Sequence, residues 1–140
     1  MLIHWTGRRA DVRTIILRGS VRSGRGDFAH WIATLEEFYF AKTGVRLFPG
    51  TLNLQLASDF RLPPKRVRLE AREYGGTVSV NIVPCQLFGR RAFILRTDAN
   101  EHGNGDHPLS ILEIASDLNL RATYGLADGD EVELILTLDS

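Results

Sequence analysis

Short stretches of two-residue alternation, each closed by a glycine or proline turn, constrain this chain more than any other feature. Leu52, Leu54 and Leu56 alternate with Thr51, Asn53 and Gln55, the pattern of a strand with one face against a core. Residues 66–72 and 77–83 alternate in the same way on either side of Gly75-Gly76, a hairpin-type turn. A second hairpin is expected from residues 86–88, a turn at Gly89-Arg90 and residues 91–96, with Phe88 packed inward. Pro84 is expected to weaken the end of the strand before it. Residues 14–21, 111–116 and 131–138 complete the set, and residues 120–124 suit a helical turn ending at Gly125.

Only one segment reads as a clear helix. Residues 28–43 place Trp31, Leu35, Phe38 and Tyr39 at three- and four-residue spacing, with Asp27 as N-cap and Gly44 ending the helix. Trp31, Phe38, Tyr39 and Phe40 are expected in the core. Six or more strands with short turns and one main helix favour an all-β fold, a small closed barrel, over a parallel sheet. At 140 residues the chain suits a single domain, 1–140, with residues 1–13 as a lead-in.

Composition narrows the partners. Lys+Arg and Asp+Glu balance at 17 each, so no global field favours nucleic acid or an anionic membrane. The cations are nearly all Arg, and Arg8, Arg9, Arg13, Arg18, Arg22 and Arg25 fall early. Arg makes bidentate contacts with phosphate or carboxylate, so an anionic small ligand suits this cluster, as does a solvated surface. The single Cys85 forms no internal disulfide and suits a reducing compartment. No apolar run approaches the roughly 20 residues of a membrane helix, and the first residues carry no secretory pattern. The expectation is a cytoplasmic monomer that takes small-molecule substrates.

Three places carry candidate chemistry. Pro49-Gly50 reverses the chain just before Thr51 and Asn53, which project from one strand face opposite the leucines. A hydroxyl and a carboxamide oxygen are hard, neutral ligands that suit Mg²⁺ when waters and phosphates complete its shell; an ordinary polar strand face has the same pattern. Gly24-Arg25-Gly26-Asp27 lies between a strand and a helix, where backbone N–H groups cradle phosphate. It completes neither a Walker loop nor the dinucleotide fingerprint, and a flexible connection reads identically. Glu113 sits within Ile111-Leu112-Glu113-Ile114. It either points to water or faces a pocket, where it would accept hydrogen bonds from ligand hydroxyls or act as a base. The polar stretch 98–108 is long for a compact domain. Its His102 and His107, with Asp98, Glu101 and Asp106, lack the spacing of a metal set. These residues alone name no substrate.

Their order says more. A strand, a Gly-x-Gly loop, an aromatic-rich helix, Phe48-Pro49-Gly50-Thr51-Leu52-Asn53-Leu54, then Ile111-Leu112-Glu113-Ile114, Asn119-Leu120-Arg121 and Gly125-Leu126-x-Asp128-Gly129-Asp130-x-Val132 together resemble the CTP-dependent riboflavin kinases. The resemblance covers about residues 17–136. It implies a six-stranded barrel of the riboflavin-synthase-like type, and transfer of the γ-phosphate of CTP to the ribityl 5′-hydroxyl of riboflavin, giving FMN and CDP with Mg²⁺. Gly24, Arg25, Gly26, Asp27, Phe28 and Ala29 would wrap the nucleotide phosphates, and Leu118, Asn119, Leu120 and Arg121 would contact the nucleotide. Thr51 and Asn53 would hold Mg²⁺, with Asn53 and Glu113 as the catalytic pair and Glu113 bonded to the flavin. Gly105 stands near where the family has a flavin-contacting Thr before His-Pro. The glycine loop also lacks a third glycine, and residues 98–106 form an unusually polar insert. A barrel that binds flavin or nucleotide without turnover, or a kinase of another small alcohol, is the alternative.

Overall fold

The computed structural model describes residues 2–4, 12–24 and 27–139. In chain order these form β1 (Leu2–His4), β2 (Val12–Arg22), α1 (Asp27–Thr34), α2 (Glu36–Thr43), β3 (Leu52–Leu56), β4 (Val67–Leu69), β5 (Val80–Leu87), β6 (Arg90–Thr97), α3 (Asp98–Glu101), β7 (Ile111–Ala115), α4 (Leu120–Thr123) and β8 (Glu131–Asp139). Strands β2, β3, β7, β6, β5 and β8 pair in that order, and β8 returns to β2, so six antiparallel strands close a barrel. The short β1 extends the sheet beyond β2, and β4 pairs with β5. Of the lead-in expected over residues 1–13, β1 and the start of β2 are strand, and residues 1 and 5–11 lie outside the described residues.

Closure explains Gly19. It pairs with Leu56 on one side and Val132 on the other, where β2 is shared between two neighbours. A Cβ at this position would lie 3.0 Å from the Leu54 Cβ and 3.1 Å from the Gln55 carbonyl, so only glycine fits without a shift.

The two faces of the sheet bury two separate cores. Leu52, Leu54 and Leu56 point into the barrel with Ala92, Ile94, Leu112, Ile114 and Leu134. Outside the wall, Phe28, Ile32, Leu35 and Tyr39 pack on Ile82, Phe93, Leu95 and Ala115. Strands β6 and β7 are therefore covered on both sides, which is why Ala92-Phe93-Ile94-Leu95 reads as a continuous apolar run. The helical segment is interrupted. Leu35, at φ −107° and ψ 31°, separates α1 from α2, although Leu35 N still donates to the Trp31 carbonyl and Tyr39 N to that of Leu35. Gly44 ends α2 as expected, in the left-handed region at φ 74° with its N–H on the Phe40 carbonyl.

Several local expectations are corrected. Strand β4 stops at Leu69 because Glu70 and Glu73 form a reciprocal capping pair around a short 3₁₀ turn, Ala71–Glu73. Strand β5 begins only at Val80 and runs straight through Pro84. Pro84 lies after β4 pairing has ended at Ile82 and before β8 pairing begins at Gln86, so its missing N–H leaves no ladder position empty. Phe88 does not pack inward. With Phe88 at φ 54° and Gly89 at φ 71° the hairpin tip is a two-residue turn of the type that matches strand twist, and the exposed Phe88 ring stacks on Tyr124. Trp31, Phe38 and Phe40 are exposed as well, and of the four aromatics expected in the core only Tyr39 is buried there.

The polar stretch after β6 is built rather than loose. Thr97 caps α3 through Asn100 N. Arg96, 3% exposed, donates to Glu101 Oε1 at 2.9 Å and to the carbonyls of Phe60, Leu109 and Ile111. An Arg buried this deeply is tolerated because its charge is paired and its donors are used. The same clasp ties Glu101 and Leu109, at the two ends of this stretch, to β6.

Candidate active site

The β3–β7 ladder sets the geometry. It places Asn53 directly opposite Glu113, on the sheet face that the leucines leave. Side chains of directly opposed residues lie about 5 Å apart at Cβ. Both residues are buried, at 4% and 8% exposure. Glu113 therefore faces a pocket, not water.

Thr51 projects beside Asn53, with the Thr51 hydroxyl donating to Asn53 Oδ1 at 3.2 Å. The space behind Asn53 is closed by Gly24. A Cβ on Gly24 would lie 1.8 Å from Asn53 Nδ2, so the glycine loop begins in contact with the carboxamide. Arg22, paired with Asn53 across β2–β3, turns outward to donate to Gln55 Oε1 at 2.8 Å. Among the described residues no group of three or more His, Cys, Asp and Glu gathers as a metal site, so His102 and His107 form none.

Residues of this ladder line two cavities, Glu113 in one and Leu52 and Ile114 in the other. The larger, about 290 Å³, is lined by Phe28, Trp31, Tyr39, Tyr74, His107 and Glu113, with Gly105 at its edge. Its walls are mainly aromatic and aliphatic, with polar groups from the α3 region. Gly105 packs on Asn100, where a Cβ would meet Oδ1 at 1.8 Å, and the His107 N–H also donates to that oxygen. Two polar atoms of the lining, Tyr39 OH and His107 Nδ1, are buried without a hydrogen-bond partner among the described residues. Burial pushes the Tyr39 phenol well above its ordinary range, with the nearby Tyr74 and Glu113 adding to the effect, so the group stays neutral.

The smaller cavity, about 160 Å³, is lined by Gly50, Thr51, Leu118, Asn119, Leu120 and Arg121. Asn119 Oδ1 accepts from Ala122 N and so caps α4, which fixes the 118–121 segment beside Thr51. Leu120 belongs to the barrel core and anchors that segment.

The structure thus brings Thr51, Asn53, Glu113, Gly24 and residues 118–121 into one region, with Gly105 beside Glu113. Phe28 lines the larger cavity, next to Glu113, and Ala29 follows it on α1. Arg25 and Gly26 lie outside the described residues, as does the side chain of Asp27. Trp31, Tyr74 and His107 were not singled out as cavity-forming by sequence. The exposed spacing of Trp31 on α1 was the available signal, and helical periodicity alone cannot tell a core aromatic from a pocket wall.

Comparison with known proteins shows the family. Residues 21–136 match the family model CTP-dep_RFKase, described as "Domain of unknown function DUF120". A protein of Staphylothermus marinus named riboflavin kinase is 32% identical over 124 residues, covering 87% of this chain and 92% of the relative. Riboflavin kinases of Methanocella arvoryzae and Archaeoglobus fulgidus are each 32% identical over 86% and 90% of this chain. The chain spans little more than half of those two relatives, 56% and 57% of their lengths. By a match that runs from β2 into β8, the chain belongs to the CTP-dependent riboflavin kinase family, kinases that act on an alcohol.

Proposed function

We propose that this chain transfers the γ-phosphate of CTP to the ribityl 5′-hydroxyl of riboflavin, giving FMN and CDP. The observation that carries this reading is that one strand pair contributes to two cavities of different character, Glu113 to the larger and Leu52 and Ile114 to the smaller. The larger has the flat apolar walls that suit an isoalloxazine ring. The smaller lies beside Thr51 and Arg121, and the glycine loop starts against Asn53.

In the reaction the acceptor hydroxyl oxygen bonds to the γ-phosphorus, the bond from that phosphorus to the β–γ bridging oxygen breaks, and CDP leaves. Glu113 accepts the hydrogen bond of the attacking hydroxyl and orients it. The hydroxyl proton passes to the Glu113 carboxylate as the new P–O bond forms. Positioning and charge stabilisation supply most of the acceleration in phosphoryl transfer. Arg121 and the N–H groups opening α1 would offset developing negative charge.

The residues fit Mg²⁺. Thr51 Oγ1 and Asn53 Oδ1 are 3.2 Å apart, close to the about 2.9 Å between adjacent ligands of an octahedral ion with 2.0–2.1 Å bonds. Both are neutral, as suits an ion that takes its remaining ligands from water and phosphate. When bound there, Mg²⁺ would neutralise charge on the transferred phosphoryl group.

Asn53→Ala tests this directly. FMN formation should fall below detection while the far-UV circular dichroism spectrum is unchanged. Normal turnover in that variant would remove Asn53 from the site.

A further inference from the structure

The turn carrying Asp128 is fixed to the barrel. Ala127 N donates to Asp130 Oδ2 at 2.8 Å, and Gly129 closes the turn at φ 93°. Gly129 N donates to the Val21 carbonyl and Val21 N to that of Asp130, both at 2.8 Å. These backbone bonds hold the turn against the end of β2.

From this post the Asp128 carboxylate reaches in two directions. Ser23 Oγ donates to it at 3.0 and 3.2 Å. Arg121 NH2 lies 2.7 Å from Oδ1, and Arg121 Nε donates to the Leu126 carbonyl at 3.1 Å. The two partners belong to different segments. Ser23 immediately precedes Gly24, which abuts Asn53, and Arg121 lines the smaller cavity beside Thr51. One carboxylate therefore ties the Ser23-Gly24 stretch, which abuts Asn53, to Arg121, which lines that cavity.

We propose that Asp128 is a positioning residue for the phosphate donor, holding the start of the glycine loop and the Arg121 guanidinium in place before a nucleoside triphosphate arrives. This rests on the reading that the donor occupies the smaller cavity. Two effects of Asp128 oppose each other. As an anion it repels a triphosphate and occupies Arg121; as a tether it removes ordering that binding would otherwise have to supply. The tether dominates. The ion pair is substantially exposed, at 39% and 57% for its side chains, so the Coulomb term is screened and the pair contributes little to global stability. The Arg121 and Ser23 side chains left to order on binding would weaken it about fivefold to tenfold.

The test is CTP titration of the full chain by calorimetry, together with steady-state kinetics in both substrates, for wild type, Asp128→Ala, Asp128→Asn and Ser23→Ala. Asp128→Ala should raise the Kd and KM for CTP about fivefold to tenfold, with KM for riboflavin unchanged. Asp128→Asn, whose carbonyl oxygen still accepts from Ser23 and Arg121, should recover most of the affinity. Ser23→Ala should show a smaller loss in the same direction. CTP affinity that is unchanged or tighter in both Asp128 variants would overturn the proposal, since repulsion would then outweigh tethering. So would an equal rise in both KM values with a fall in Tm, which would mark a general structural role. A wild type that binds no CTP would instead overturn the nucleotide reading itself, and the proposal with it.

Discussion

Asn53 and Glu113 face each other across the β3–β7 ladder, and both are buried, with Glu113 lining the larger cavity. A ladder pair is a rigid support, because a slip of one strand by one residue would turn its side chain to the opposite face and part the two. The relative position of a carboxamide suited to a metal ion and a carboxylate suited to an acceptor hydroxyl is thereby set by backbone hydrogen bonds.

Glu113→Gln keeps the size of the side chain and removes its charge. It should lower kcat for FMN formation by about a hundredfold and leave KM for CTP unchanged, as read by steady-state kinetics. A variant with wild-type kcat would place Glu113 outside the reaction.

Gly24→Ala should act through Asn53. The added methyl would sit 1.8 Å from Nδ2 and 2.7 Å from Cγ, so the carboxamide must move. A displacement of about 1 Å at a reacting centre can cost about a hundredfold in rate, and a loss of that order is expected. Gly24 is exposed, so Tm should hardly change. Full activity would show that Asn53 is not held by the loop.

Tyr39→Phe removes a hydroxyl that is buried without a partner among the described residues. Such a group costs about 1 kcal/mol or more in the unliganded protein, so the variant should melt about 2–4 °C higher in differential scanning calorimetry. A lower Tm would show that the hydroxyl contributes a stabilising bond.

Asp98 predicts an acid-side dependence. Its carboxyl is held below the ordinary range, first by the hydrogen bond from Arg68, with Asn81 also donating. A depressed carboxyl contributes stability that is fully present above its unfolded value of about 3.9 and is lost as pH falls through the lower folded value. Urea unfolding of wild type from pH 6 downward should therefore lose stability into that window, and Asp98→Asn should show a shallower acid limb. Identical acid limbs would remove this residue from the linkage.

The barrel was legible because Leu52, Leu54 and Leu56 alternate strictly and because Gly89 supplies a positive φ at the β5–β6 turn, whereas the hairpin expected at Gly75-Gly76 is replaced by a longer connection through a 3₁₀ turn. Thr51, Asn53 and Glu113 were legible for a related reason: a polar residue at a fixed position in an alternating or apolar strand has only two faces to choose between. The helix break at Leu35 was not, since both halves share one periodicity. Strand β5 running through Pro84 depends on where two neighbouring strands start and stop, which is a tertiary fact. The Arg96 clasp joins residues from Phe60 to Ile111, and the Asp128 tether joins residues more than 100 positions apart. Neither long-range contact leaves a local pattern.

The most direct measurement is FMN formation by the purified chain with Mg²⁺ and riboflavin, run in parallel with CTP, UTP, GTP and ATP and followed by chromatography. FMN with CTP, and little or none with the other three, is the predicted result. No FMN from any of the four nucleotides, with the protein folded, would contradict the account.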